Sequence, residues 1–388
     1  MRSRVLFVDD DATLRQTYQS FAPELREYEV FTAESGEAGV KLLQEKSFDV
    51  VVSDLAMPRM DGMQFLAHVV RSQPDSARII ISGYADRLKV AQCLFVGHRY
   101  FNKPCDSKAL LELLERLAGF RSIISNERVR RVIGGLGSLP GPPDTYIKLI
   151  EVLNSPYSSL NDVAAVVEKD ASVTAKLLQI VNSAHFGIAR KIVSPTEAVQ
   201  MVGVEVVRGL VLGLQAFSVY KSNPHKKPPP PDLWDHSLRS ALAARKISQA
   251  EGFSHDICEQ AFLAGLLHDV GKLVLIANVA EEYNEVVTFA RTYRVSMNDS
   301  EIRRFGATHA QIGAYLLALW GLQEEVIRLV EFHHDLGSYP GSDPNAMIAF
   351  HAAQYLHPVD YRPESLNREF FRKHGFEAKI EDWKALLA

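Results

Sequence analysis

Five short apolar runs, spaced by helical patterns, fill the first third of the chain. Residues 4–8, 30–33, 50–53, 78–82 and 100–102 are rich in β-branched and aromatic side chains and have strand length. Between them, apolar residues recur at three- and four-residue steps and predict helices beginning near residues 12, 35, 63, 87 and 107. This alternation with short connections predicts an α/β unit: a doubly wound, five-stranded parallel sheet with helices on both faces. Pro23 falls inside the first helical pattern and should kink it or end it early.

The pattern then changes. Residues 122–133 are polar, with Arg128, Arg130 and Arg131, and Gly134-Gly135-Leu136-Gly137 follows, so this stretch reads as a helical connector and a joint. From Leu139-Pro140 onward the strand signal stops. Residues 146–153, 159–168 and 172–183 read as helices, with Ser159 and Asp170 as N-capping candidates. The run Lys226-Lys227-Pro228-Pro229-Pro230-Pro231 reads as a loop between two helical lobes. Closing helices are expected around residues 358–371 and 381–387. The layout is therefore an α/β unit over residues 1–121, a connector over 122–137, and an all-α unit over 138–388.

Chemistry collects at the strand ends of the first unit. Strand one ends in Asp9-Asp10, strand three in Asp54, strand four in Ser82, and strand five runs into Lys103-Pro104. All lie at the carboxyl edge of one sheet, where open α/β sheets bind their ligands. Three carboxylates there repel one another unless a cation neutralises them, and an oxygen set of this kind suits Mg²⁺. The lysine and hydroxyl alongside suit the oxygens of a phosphoryl group.

This constellation closely resembles the receiver domain of two-component response regulators, whose flavodoxin-like fold matches the predicted sheet. The resemblance implies Asp54 as phosphoacceptor, with Mg²⁺ held by Asp10, Asp54 and the carbonyl of Ala56, and Asp9 assisting through water. It makes Ser82 the switch hydroxyl and Tyr100 the switch aromatic. Lys103, before a cis Pro104, would contact the phosphate, and a sensor histidine kinase would be the phosphodonor.

The second unit resembles the HDOD output domain, which is related to the HD phosphohydrolases. The matching stretches are Leu139-Pro140, residues 170–178, Val181-Asn182-Ser183-Ala184 and residues 198–203. His268-Asp269 with Lys272 matches the motif that gives the HD superfamily its name. His236, His309, His333 and His334 match further ligand positions of its HD-GYP branch, so this cluster is a candidate site for Fe or Mn. The chain departs from the catalytic pattern at His351-Ala352-Ala353-Gln354, where an amide stands in place of the usual Asp, and at the shortened Gly337-Ser338-Tyr339-Pro340. With Asp269 the one certain carboxylate, the expectation is a degenerate site that holds one metal rather than two. Receiver self-phosphorylation and dephosphorylation are then the only chemistry expected.

Composition narrows the partners. The net charge of −4 gives no general polyanion-binding surface, and residues 173–182 offer only Lys176 to nucleic acid, which disfavours a DNA-binding regulator. The three cysteines form no C-x-x-C pair and suit a reducing compartment. Residues 5–8 are stopped by Asp9-Asp10-Asp11, and residues 198–220 are interrupted by Glu205, Arg208 and Gln215, so neither a signal peptide nor a membrane span is expected. The resulting expectation is a cytoplasmic phosphorelay response regulator whose helical output acts on an unidentified downstream protein. A metal-dependent phosphohydrolase or cyclic-dinucleotide phosphodiesterase is the first alternative, and a DNA-binding transcriptional regulator the second.

Overall fold

The computed structural model describes residues 2–74, 76–83, 99–123, 145, 148, 149, 152, 159–181, 192–222, 231–356 and 366–387. The chain divides into two compact units, the first mainly residues 1–142 and the second mainly residues 143–388.

In the first unit, strands β1 (Ser3–Val8), β2 (Tyr28–Ala33), β3 (Val50–Asp54), β4 (Ala77–Ser82) and β5 (Arg99–Asn102) form one sheet. All pairings are parallel, in the order β2-β1-β3-β4-β5. This is the doubly wound order whose switch point lies between β1 and β3, so Asp9 and Asp54 emerge side by side. Val5, Leu6 and Phe7 of β1, Val50 and Val51 of β3, and Ile79 and Ile80 of β4 are wholly buried. A sheet covered on both faces buries consecutive side chains, which is why these strands read as unbroken apolar runs. Each such side chain stabilises the fold by roughly 1.5–3 kcal/mol.

Helices Ala12–Ser20, Gly36–Glu45, Gly62–Ser72 and Ser107–Ile123 pack around this sheet. Asp11 caps the first of them, accepting the Thr13 and Leu14 N–H groups, and the helix stops at Ser20, ahead of Pro23. The helix expected near residue 87 lies outside the described residues. So do most of the connector, most of residues 146–153, and the proline run except Pro231, which opens a helix.

The second unit is all-helical among the described residues. Leu160–Glu168, Ala171–Val181, Pro195–Val202 and Val204–Ser222 form one group of helices. Ser159 and Asp162 close a capping box at the first, and Ser194 caps the third just before Pro195. A second group builds on Pro231–Ala250, His255–Leu267 and Asn345–Leu356, whose shared core is lined by Ala243, Ala244, Ala261, Ala264, Ala349 and Ala353. Small side chains here let the three helix backbones approach closely. Around them lie Val270–Asn278, Ala280–Tyr293, Met297–Phe305, His309–Trp320 and Glu324–Phe332.

Gly271 sets the spacing that matters most to the site. A Cβ there would collide with the backbone carbonyl of His309 and lie 2.8 Å from the Gly313 nitrogen. Two helix starts therefore meet backbone to backbone, bringing Asp269 beside His309. Overpacking such a contact costs about 1–3 kcal/mol, so Gly271→Ala should lower the melting temperature. Gly337→Ala, whose added carbon would meet only an Asp335 oxygen at 3.7 Å, should not. Indistinguishable thermal melts for wild type and Gly271→Ala would refute the close approach.

Candidate functional sites

At the sheet edge, Asp9, Asp10 and Asp54 present oxygens that all lie within 4.8 Å of one another. Asp9 and Asp54 are buried while Asp10 is exposed. The loop between β1 and its helix is held by Arg15, whose Nη1 donates to the carbonyls of Asp9 and Asp10 at 2.8 Å each. Asp9 Oδ1 accepts the Asp11 N–H at 2.9 Å. Asp54 Oδ1 accepts the N–H groups of Leu55 and Ala56 at 2.7 and 3.3 Å, which orients the carboxylate away from β3. Behind it, the Gly62 N–H donates to Leu55 O, and a Cβ on Gly62 would strike Asp54 O, so only glycine lets the next helix start this close.

Lys103 ties the acidic cluster together. Its Nζ donates to Asp54 Oδ2 at 2.7 Å and to Asp9 Oδ2 at 3.0 Å, and the Lys103–Pro104 bond is cis. Burial pushes the Asp9 carboxyl up; the Asp11 N–H and Lys103 oppose that without reversing it, and the Asp54 charge adds to it. Burial would lower the Lys103 ammonium, but the bonds to Asp54 and Asp9 hold it above its ordinary value. Mg²⁺ fits this set: the three carboxylates already converge, and the ammonium now balancing two of them is the kind of charge a cation would supplement. The Ala56 carbonyl belongs to the same loop. Ser82 ends β4 and Tyr100 lies in β5, but their side chains are outside the described residues.

In the helical unit the six sequence-identified residues do come together. They form two groups, His236, His268 and Asp269, and His309, His333 and His334, each with ligand atoms within 4.8 Å of one another. Ring centroids lie 5.1 Å apart for His236 and His268, 5.3 Å for His268 and His333, and 5.4 Å for His309 and His333. Asp269 reaches both groups: Oδ2 is 3.4 Å from His268 Nε2 and Oδ1 is 3.5 Å from His309 Nε2. Lys272, at the more open side, places Nζ 2.8 Å from the same carboxylate.

The imidazole tautomers follow from the other ring nitrogens. His268 Nδ1 lies 2.9 Å from Gly265 O, and His333 Nδ1 lies 2.6 Å from Val330 O. A carbonyl can only accept, so both rings carry a proton on Nδ1 and turn Nε2 inward as the nitrogen that can ligate. Each of these two histidines is the residue at which its helix ends. His309 Nδ1 sits 2.8 and 3.0 Å from the oxygens of Glu301, giving the same tautomer. His333 Nε2 is buried with no hydrogen-bond partner. Imidazole Nε2 atoms converging on a carboxylate are a donor set for a transition metal, with the outer nitrogens oriented as metal-binding histidines require.

Electrostatics keep the donors in the needed forms. Burial would raise the Asp269 carboxyl, but His268, Lys272 and His309 outweigh it and hold it well below the usual carboxylate range. Burial, with repulsion from His334, His268 and His309, pushes His333 well below 6.5. Glu301 is a second acid wholly buried beside the cluster, bonded to His309 and in neither ligand group, so Asp269 is the one carboxylate among the candidate ligands. Sequence reading missed Glu301 because residues 297–305 form a polar helix in which an acid looks like surface. Gln354, buried on the Asn345–Leu356 helix, lies one turn beyond Phe350, whose ring packs 5.6 Å from His268 and 5.9 Å from His333.

The HDOD domain family matches residues 139–336, half of the chain, and the response regulator receiver domain family matches residues 5–115. The chain belongs to the HDOD family and carries a receiver domain ahead of it. An uncharacterised protein of Treponema pallidum is 26% identical over 53% of this chain, which spans only 39% of that relative's length. The probable chemotaxis protein CheY of Rhizobium etli is 31% identical over 30% of this chain and 92% of its own. An HDOD domain protein of unknown function from Geobacter sulfurreducens superposes with a TM-score of 0.52 at 25% identity, covering 69% of this chain and 93% of that one. Among the described residues of this HDOD protein, no single helix is long and apolar enough to cross a membrane.

The depressed His333 pKa makes a signed prediction. Between its folded value and about 6.5 the unfolded chain binds the extra proton, so stability is full above 6.5 and falls as the pH drops below it. Asp269 contributes its loss only below its ordinary range, outside this window. Thermal melts in chelator from pH 7 to pH 5 should show that decline in wild type and a shallower one in His333→Gln. Parallel declines would refute it.

Proposed function

We propose that this protein is a phosphorelay response regulator in which Asp54 accepts a phosphoryl group from the phosphohistidine of a sensor histidine kinase. The single observation that carries this is the Asp54 carboxylate, fixed by two backbone N–H groups and facing Lys103, with Asp9 and Asp10 alongside. An Asp54 oxygen attacks phosphorus as the phosphorus–nitrogen bond of the donor breaks. Lys103 exchanges its carboxylate partners for a phosphoryl oxygen, and positioning plus charge neutralisation supply the rate. Asp9, Asp10, Asp54 and the Ala56 carbonyl would hold Mg²⁺, which when bound neutralises the incoming phosphoryl charge. Ser82 and Tyr100 are the proposed switch pair on β4 and β5. Residues 1–121 and 138–388 are the proposed domain limits, with the HDOD unit acting by contact with a downstream protein in the cytoplasm.

Incubation with a small phosphodonor and Mg²⁺ should label wild type on one site. Asp54→Asn should abolish the label, while equal labelling of that variant would overturn the assignment.

A second reading concerns the histidine cluster and rests on the inward Nε2 atoms of His268, His309 and His333 with Asp269 beside them. With His236 and His334 they would bind Fe or Mn, and a bound metal would supply Lewis acidity for phosphodiester hydrolysis. Elemental analysis after dialysis should find metal in wild type and a loss of it in Asp269→Ala, with cyclic-dinucleotide hydrolysis followed on the same samples. Metal-free wild type after reconstitution with Mn²⁺ would overturn this reading.

A further inference from the structure

Glu301 stands outside both ligand groups and outside every motif singled out in the sequence, yet it is one of the most completely buried charged side chains in the helical unit. A carboxylate in that position is tolerated only if its oxygens are fully used. Oε2 accepts the His309 backbone N–H at 2.7 Å, and both oxygens face His309 Nδ1, at 2.8 and 3.0 Å. The Tyr283 hydroxyl, itself buried, neighbours the same carboxylate, and burial followed by the Glu301 charge keeps that phenol well above its ordinary pKa.

Capping alone does not explain this arrangement. The His309–Trp320 helix already has a reciprocal cap: Thr308 Oγ1 accepts the Gln311 N–H at 3.2 Å, and Gln311 Oε1 accepts the Thr308 N–H at 3.0 Å. What Glu301 adds is control of one ring. An ionised carboxylate has no proton to give, so His309 must keep a proton on Nδ1, which leaves Nε2 as the nitrogen that can ligate a metal. That Nε2 is the atom 3.5 Å from Asp269 and 3.3 Å from His334 Nε2.

We propose that Glu301, braced by Tyr283, is the positioning residue that fixes the His309 tautomer and aims its Nε2 at the metal position. This rests on the metal-binding reading of the cluster. A neutral amide at position 301 can turn its NH₂ to Nδ1, which shifts the ring proton to Nε2 and blinds the ligand. Partners of this kind are typically worth about 10–100-fold in metal affinity.

The test uses the full chain labelled with ¹⁵N-histidine, together with calorimetric titration of Mn²⁺. Wild type should show His309, assigned through loss of its signal in His309→Gln, with the proton on Nδ1 in the metal-free state. Glu301→Gln should move that proton to Nε2 or spread it over both nitrogens and weaken Mn²⁺ about 10–100-fold. Tyr283→Phe should weaken it less. Thr308→Ala, which removes only the cap, should lower the melting temperature and leave tautomer and affinity unchanged. An unchanged His309 tautomer in Glu301→Gln, or Mn²⁺ affinity within threefold of wild type, would overturn the proposal. If wild type takes up no Mn²⁺, the metal reading falls by itself, and the tautomer measurement still decides whether Glu301 sets the ring.

Discussion

Both sites depend on one constraint: a carboxylate removed from water must find its counter-charge within the same small volume. At the sheet edge the solution is Lys103, whose ammonium bridges Asp9 and Asp54. In the helical unit it is Lys272 together with the imidazoles around Asp269, and for Glu301 it is the N–H groups of His309. The surrounding architecture keeps these partners in reach. The parallel sheet brings the ends of β1 and β3 side by side, and the Gly271 contact brings two helix starts together.

The two sites differ in how they use their charge. In the receiver a single lysine balances two acids, and in the proposed phosphotransfer its ammonium would pass from them to a phosphoryl oxygen. In the HDOD unit the charges are locked into rings and backbone. His268 and His333 are oriented by carbonyls of their own helices, and His309 by a carboxylate from the preceding one. Such a cluster is organised before any ligand arrives, which reduces the ordering needed to bind one.

The five strands of the receiver and the acids at their ends were legible, because the strands are announced by apolar runs such as Val50-Val51-Val52. Even the cis Lys103–Pro104 bond followed from the resemblance. The histidines were legible as a set because His268-Asp269 and His333-His334 carry motif spacing. Their division into two groups was not, since it depends on which helix faces which. Glu301 left no signal: its neighbours Arg303 and Arg304 make its helix look solvated, and only the fold reveals that this one position faces inward. Arg15, which pins the acidic loop through backbone carbonyls, was silent for the same reason.

The two histidines that end their helices carry a further consequence. His268 terminates His255–Leu267 and His333 terminates Glu324–Phe332, so the carboxyl ends of both helices converge on the cluster. The aligned peptide dipoles of a helix place roughly half a negative charge at that end. The two helix starts that meet at Gly271, one capped by Asp269 and one opening at His309, bring roughly the opposite charge to the same place, so the four helix ends nearly cancel. The potential at the cluster is therefore set by the side chains, Asp269 and Glu301 against Lys272, and a change in any of these three alters it directly.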